Sequence, residues 1–123
     1  MRRILLVEDE IEILRVEKQF LERNGFEIVA ASAGRRAIDM IASGEKVDLA
    51  VLDVKMPDMT GFDCLKEIRK IKPDLPALFL TGSIDKSRHV EVLKTLNCEP
   101  DDVLQKPIDL NELIGHIKEK LGG

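Results

Sequence analysis

The sequence lacks tryptophan and tyrosine, and four phenylalanines supply all of its aromatic side chains. No apolar run approaches the roughly 20 residues of a membrane-spanning helix, so we expect no membrane insertion. No basic block is present, and the formal net charge of −4 argues against nucleic acid as a direct partner. Cys64 and Cys98 lack metal-ligand spacing, which predicts reduced thiols and a cytoplasmic protein.

The chain instead has the composition of one globular domain. Its 123 residues are 44% hydrophobic and 34% charged, which is enough apolar material for a real core. There is no repeat, linker or low-complexity tract. We therefore expect a single domain over residues 1–123.

Apolar strand-like stretches alternate five times with amphipathic helical patterns. The predicted strands are residues 3–7, 27–31, 48–53, 77–81 and 102–105. The predicted helix starts include Ser32, Thr60 (with Asp63 three positions on), Asp85, and Asp109 (with Glu112). The expected apolar faces are Ile13, Val16 and Phe20 beside Leu14 and Leu21; Ala37, Ile38 and Ile41; Leu65, Ile68 and Ile71; Val90, Leu93 and Leu96; and Leu110, Leu113, Ile114, Ile117 and Leu121.

This alternation predicts an α/β fold, a flavodoxin-like (βα)5 doubly wound sandwich. Each crossover between parallel strands needs its helix, and the helices cover both sheet faces. The expected strand order is 2-1-3-4-5, which makes strands one and three neighbours at the topological switch point.

Acidic residues follow those two neighbouring strands. Glu8 and Asp9 follow the first strand, and Asp53 ends the third, so the three carboxylates should converge. Carboxylates that close together repel one another, and a hard divalent cation relieves the repulsion. A site with few carboxylate ligands and several retained water molecules favours Mg²⁺ over Ca²⁺. The simpler interpretation is that acids at strand ends are merely solvated. That interpretation explains a single acid better than it explains three that converge.

Thr81 and Lys106 end the fourth and fifth strands on the same side of the sheet. A hydroxyl and an ammonium suit the equatorial oxygens of a phosphoryl group. Asp53 could then act as a nucleophile that forms an acyl phosphate. The sequence leaves the isomer of the Lys106–Pro107 bond open, although a cis bond would aim the lysine inward.

These residues resemble the receiver domain of two-component response regulators. The resemblance rests on residues 4–10 (ILLVEDE), 53–61 (DVKMPDMTG), 81–82 (TG) and 101–107 (DDVLQKP), and it extends over essentially the whole chain. Together, in this order and spacing, the motifs are highly specific. We expect either a single-domain regulator or a receiver excised from a longer protein.

The resemblance implies that Asp53 accepts a phosphoryl group from a histidine kinase or a histidine phosphotransfer protein. It implies that Glu8, Asp9, Asp53 and the backbone carbonyl of Lys55 hold Mg²⁺. Thr81 and Lys106 would sense the phosphoryl group and alter the face formed by helix four, strand five and helix five, which would bind a downstream protein. The domain would be a phosphoacceptor rather than a conventional enzyme, and a monomer or a phosphorylation-dependent dimer.

The sequence also departs from the family pattern. Val103 stands where members usually carry a switch aromatic, which puts the usual coupling of Thr81 to an aromatic in doubt. Gly82 replaces a frequent alanine, and Pro100 stiffens the approach to strand five. Lys55 and Ser83 occupy positions that tune acyl-phosphate hydrolysis in the family.

Three other functions fit the fold less well. A flavodoxin would need a hydroxyl- and glycine-rich phosphate loop and stacking aromatics, whereas the first loop here is acidic. An aspartate-nucleophile phosphatase would normally place an Asp-x-Asp pair after strand one. A phosphorylation-independent, receiver-like interaction module is the strongest alternative. Val103 favours it, and the complete set of Glu8, Asp9, Asp53, Thr81 and Lys106 argues against it.

Overall fold

A computed structural model describes residues 2–82 and 89–122 of the chain. Within these ranges a five-stranded parallel sheet runs in the order β2-β1-β3-β4-β5, which confirms the predicted fold. The strands are β1 (Arg3–Val7), β2 (Glu27–Ala31), β3 (Leu49–Asp53), β4 (Ala77–Thr81) and β5 (Val103–Gln105). The α-helices are α1 (Ile11–Arg23), α2 (Gly34–Ala42), α3 (Gly61–Arg69), α4 (Val90–Thr95) and α5 (Leu110–Lys120). Ser83 and Asp85, for which the sequence made predictions, lie outside the described residues.

Helices cover both faces of the sheet, and β3 and β4 are buried at every position. Because successive strand residues point to opposite faces, the strands feed two separate apolar layers. One layer packs strand residues against α2 and α3, including Leu5, Ala50, Leu52, Phe79, Ala37, Ile41, Leu65 and Ile68. The other packs them against α1 and α5, including Ile4, Leu6, Val51, Leu21, Leu113 and Ile117. None of the helices in the described ranges is both long and apolar enough to cross a membrane.

The predicted apolar face of α1 is wrong at Val16, whereas Leu21 is buried and Leu14 and Phe20 pack against the core. Val16 is 56% exposed, and the residues that α1 buries are Glu17 and Leu21. Leu14, Glu17 and Leu21 are spaced three and four residues apart, so they share one side of the helix. That side, rather than the one with Val16, faces the sheet. In α3 the helix ends at Arg69, which leaves Ile71 47% exposed.

The predicted cap of α2 is also wrong. Ala33, not Ser32, occupies the N-cap position, and its side chain makes no capping hydrogen bond. Asp58 supplies the acceptors instead: its Oδ1 accepts the Gly34 N–H at 3.2 Å, and its Oδ2 accepts the Arg35 N–H at 2.8 Å. The first-turn N–H groups of a helix need acceptors, and here the loop after β3 provides them.

The predicted caps at Thr60 and Asp109 are confirmed. The Thr60 hydroxyl accepts the Asp63 N–H at 3.1 Å, and Asp109 Oδ1 accepts the Asn111 N–H at 2.8 Å. β5 begins at Val103, one residue later than predicted, because a 3-10 turn occupies Pro100–Asp102. Cys64 and Cys98 are free thiols, as expected.

Candidate functional site

The acidic site forms where two neighbouring strands end. β1 and β3 pair in parallel, with Val7 opposite Leu52, so the residues that follow lie side by side. Glu8, Asp9 and Asp53 each place a carboxylate oxygen within 4.8 Å of the others. Glu8 is 1% exposed and Asp53 is 7% exposed. The predicted convergence of the three carboxylates is confirmed.

Lys106 joins this acidic cluster. Its Nζ lies 2.7 Å from Glu8 Oε1 and 3.2 Å from Asp53 Oδ1. The residue directly follows β5, and its backbone N–H donates to the carbonyl of Thr81 at 2.7 Å. The Lys106–Pro107 peptide bond is cis. The ammonium therefore bridges two of the three carboxylates.

Thr81 ends the strand next to Asp53, and Lys55 lies two residues after Asp53 in the chain. In the pairing of β3 with β4, Asp53 lies opposite Leu80, so Thr81 is the next residue beyond it, and Thr81 is 3% exposed. Lys55 is exposed and forms an isolated antiparallel bridge with Thr60. The sheet thus brings five of the predicted side chains, Glu8, Asp9, Asp53, Thr81 and Lys106, to one edge, with Thr81 hydrogen-bonded to Lys106 through the backbone.

The electrostatics of the cluster are strongly perturbed. Burial first, and then the charge of Glu8, raise the pKa of Asp53 to about 6, while Lys106 opposes the shift. Burial would lower the pKa of Lys106, but its hydrogen bond to Glu8 and the charges of Asp53 and Glu8 raise it overall. Lys106 is therefore cationic at neutral pH.

We did not identify Glu17 from the sequence, although its charge interacts with those of the acidic cluster. It is 5% exposed, and burial raises its pKa to about 7, with a further contribution from the charge of Glu8. Within the described ranges no group donates a hydrogen bond to Glu17 Oε1. The sequence does give one indication: Glu17 lies on the same side of α1 as the apolar residues Leu14 and Leu21.

Gly61 fixes the loop that leaves the acceptor strand. Its N–H donates to the carbonyl of Val54 at 2.9 Å. A Cβ atom at this position would clash with the carbonyl oxygen of Asp53 and lie 3.1 Å from its carbonyl carbon. Only glycine allows this approach, so the motif from Asp53 to Gly61 folds back onto its own first residue.

The donor set fits a hard divalent cation. Three carboxylate oxygens within 4.8 Å of one another, two of them on buried residues, could hold a metal ion. Oxygen ligands and a small number of carboxylates are the preference of Mg²⁺.

Comparisons with known proteins agree with this geometry. Residues 4–118 match the family described as "Response regulator receiver domain". The response regulator SaeR of Staphylococcus aureus (strain USA300) is 30% identical over 121 residues, which cover 98% of this chain and 51% of SaeR. The chain thus spans about half the length of the curated relatives it matches.

Two solved structures have the same fold. A response regulator receiver domain protein (CheY-like) from Methanospirillum hungatei JF-1 is 32% identical with a TM-score of 0.88, covering 98% of this chain and 94% of that one. The response regulator TrrA from Thermotoga maritima, solved in complex with Mg²⁺-BeF, is 34% identical with a TM-score of 0.80, covering 97% and 98%. With the family match over residues 4–118, the sheet order and the acidic cluster in agreement, this chain belongs to the response regulator receiver domain family.

Proposed function

We propose that residues 1–123 form one receiver domain in which Asp53 accepts a phosphoryl group from a histidine kinase or a histidine phosphotransfer protein. The observation that carries the proposal is the position of Asp53. It ends a buried strand, shares a cluster with Glu8 and Asp9, and lies 3.2 Å from the Lys106 ammonium. The TrrA complex with Mg²⁺-BeF supports the proposal, because beryllofluoride has the tetrahedral shape and charge of a phosphoryl group.

Glu8, Asp9 and Asp53, together with the backbone carbonyl of Lys55, would hold Mg²⁺. When bound, Mg²⁺ supplies a positive charge that offsets the negative charge on the oxygens of the transferred group.

The remaining chemistry belongs to the side chains. A carboxylate oxygen of Asp53 forms a bond to phosphorus as the bond from phosphorus to the donor nitrogen breaks, and no proton transfer by Asp53 is needed. The Lys106 ammonium and the Thr81 hydroxyl bind oxygens of the transferred group. Because the Lys106 N–H already donates to the Thr81 carbonyl at 2.7 Å, movement of one residue is transmitted to the other.

The partner-binding surface of this proposal is the face formed by α4, β5 and α5. A groove of about 1000 Å³ on this face is lined by residues that include Gln105, Glu112, His116 and Lys120, and it would bind a downstream protein. Val103 is fully buried beside β4 and presents no ring that could rotate outward. Transmission of the phosphorylation signal from Asp53 to this surface would therefore depend on movement of Lys106 and of the backbone after Thr81. The domain would act in the cytoplasm, as a monomer or a phosphorylation-dependent dimer.

A phosphorylation-independent interaction module is the second candidate, and the burial of Val103 is the observation that favours it. The two candidates differ in whether Asp53 becomes modified. In both, the domain has no external substrate and is not a conventional enzyme.

Intact-mass spectrometry after incubation with acetyl phosphate separates the two candidates. We expect one phosphoryl adduct that requires Mg²⁺ and is lost in Asp53→Asn. Asp74→Asn, an exposed acid with the same charge change, should label like the wild type. Labelling of Asp53→Asn equal to that of the wild type would place the acceptor elsewhere, and a folded wild type that stays unlabelled by acetyl phosphate and by a histidine kinase would favour the interaction module.

A further inference from the structure

Glu17 is a buried carboxyl group that the proposed reaction leaves without a role. It lies in the middle of α1, is 5% exposed, and faces the sheet together with Leu21. Its Oε1 has no solvent contact and receives no hydrogen bond from the described residues. Burying such a group without a partner costs free energy of folding, about 1–3 kcal/mol for a polar atom and more for a charge.

Glu17 is also close enough to the acidic cluster to interact with it electrostatically. The charges of Glu8 and Asp53 raise its pKa, and the charge of Lys106 lowers it. Glu17 and Lys106 line the same groove, of about 570 Å³, whose walls include Ile13, Val16, Pro107 and Ile108. Because Glu17 is 5% exposed and the groove has mostly apolar walls, its interaction with Lys106 is screened less than it would be in water.

Lys106 and a metal ion need the same oxygens. The ammonium is bound to Glu8 at 2.7 Å and to Asp53 at 3.2 Å, and both carboxylates belong to the cluster that could hold a cation. A divalent cation on Glu8 and Asp53 would repel the ammonium and take its acceptors. Lys106 then needs another acceptor, since an ammonium left unpaired in a partly buried site is costly.

We propose that Glu17 is a positioning residue that offers the Lys106 ammonium a second carboxylate when Mg²⁺ takes the oxygens of Glu8 and Asp53. This inference rests on the metal site of the proposed function and adds a residue to it. The unpaired Oε1 is the acceptor, and the flexible four-carbon stem of Lys106 allows its three N–H donors to be redirected. Glu17 therefore lowers the cost of metal binding while reducing the stability of the metal-free protein.

The test is the equilibrium dissociation constant of Mg²⁺, measured by isothermal titration calorimetry at pH 8 without a phosphodonor. Glu17→Gln preserves size and removes the charge, and we expect roughly fivefold to tenfold weaker Mg²⁺ binding. Glu22→Gln is the matched control, because it makes the same charge change on the same helix at a side chain that is 44% exposed and does not line the groove. Its dissociation constant should change by less than about twofold.

Two further measurements identify the route of the effect. In a Lys106→Met background, Glu17→Gln should alter Mg²⁺ affinity much less than it does in the wild type, because Glu17 acts through Lys106. Glu17→Met, which cannot accept a hydrogen bond, should weaken Mg²⁺ binding at least as much as Glu17→Gln and raise the melting temperature of the metal-free protein.

Equal Mg²⁺ affinity in wild type, Glu17→Gln and Glu17→Met would overturn the role of Glu17 while leaving the proposed function intact. An equal loss of affinity with and without Lys106 would also overturn it, since Glu17 would then act on the metal directly. A wild type that does not bind Mg²⁺ would overturn both this inference and the metal site of the proposed function.

Discussion

The Lys106 ammonium lies 2.7 Å from Glu8 Oε1, across 98 residues of sequence. This ion pair joins the residue after β5 to the residue after β1, although β3 and β4 separate those strands in the sheet. Lys106 is the counter-ion that allows Glu8 and Asp53 to remain buried together. In the metal-free protein it occupies part of the place that a divalent cation would take.

Lys106→Met should therefore lower the stability of the metal-free protein and increase its stabilisation by Mg²⁺. Removing one partner of a partly buried ion pair leaves the acids uncompensated, and we expect a loss of about 1–3 kcal/mol in the free energy of unfolding. Urea unfolding with EDTA and with Mg²⁺ measures both effects. A variant as stable as the wild type in EDTA would mean that Lys106 is not the counter-ion of the cluster.

The stability of the metal-free protein should fall as the pH rises from 5 to 8, in part because of Glu17. Its pKa is raised from 4.5 to about 7 by burial, so the folded state holds a proton that the unfolded state releases between these values. Where the folded state binds more protons, stability decreases with pH. Ionisation of Glu17 should lower the free energy of unfolding by on the order of 3 kcal/mol over this pH range.

Glu17→Gln isolates that contribution. Urea unfolding of both proteins in EDTA at pH 5 and pH 8 should give a smaller loss of stability for the variant, because the remaining titrating groups are shared. Equal losses in the two proteins would show that Glu17 has similar proton affinity in the folded and unfolded states.

Asp58→Ala should destabilise α2, although Asp58 lies in the loop after β3. Its two carboxylate oxygens accept the Gly34 and Arg35 N–H groups, and these bonds, the one from Arg35 first, lower its pKa. Loss of a helix cap costs about 1 kcal/mol. Ser32→Ala is the control, because Ser32 is not the cap. A larger loss of thermal stability in the serine variant would contradict the assignment.

Gly61→Ala should displace the backbone of Asp53 and impair the acidic site. A Cβ at this position would clash with the Asp53 carbonyl, and backbone cannot yield as a flexible side chain can. We expect a stability loss of about 2 kcal/mol or more and weaker Mg²⁺ binding. Gly115→Ala in α5 is the control, since no atom lies within 4 Å of its Cβ position and alanine is the better helix former. Equal stability and equal Mg²⁺ affinity in the two variants would contradict this role of Gly61.

The sequence predicted those features that depend on periodicity and chain order. Alternating strand and helix patterns are local and indicate a doubly wound sheet. With the flavodoxin-like strand order 2-1-3-4-5, strands one and three are neighbours, and the convergence of Glu8, Asp9 and Asp53 follows. Thr60 and Asp109 were predicted correctly as caps for a similar reason, because a capping side chain and its helix are adjacent in sequence.

The features that the sequence did not reveal depend on tertiary packing. The cap of α2 comes from Asp58, 24 residues after Gly34, and a cap that distant cannot be predicted from the local sequence. Two apolar stripes run along α1, and the one with Leu14, Glu17 and Leu21 faces the sheet while Val16 of the other is 56% exposed. In α1, packing against the neighbouring elements decided which side of the helix is buried. As a result Glu17 is buried, although the apolar pattern of the sequence predicts that an acid at this position is exposed.

Binding of beryllofluoride, followed by ¹⁹F NMR, tests the central claim that Asp53, the acidic cluster and Lys106 form a phosphoryl-acceptor site. It needs neither a phosphodonor nor a long-lived acyl phosphate. We expect protein-bound fluorine resonances in the wild type that require Mg²⁺ and disappear in Asp53→Asn. The absence of bound resonances in the folded wild type with Mg²⁺, or their persistence in Asp53→Asn, would contradict it.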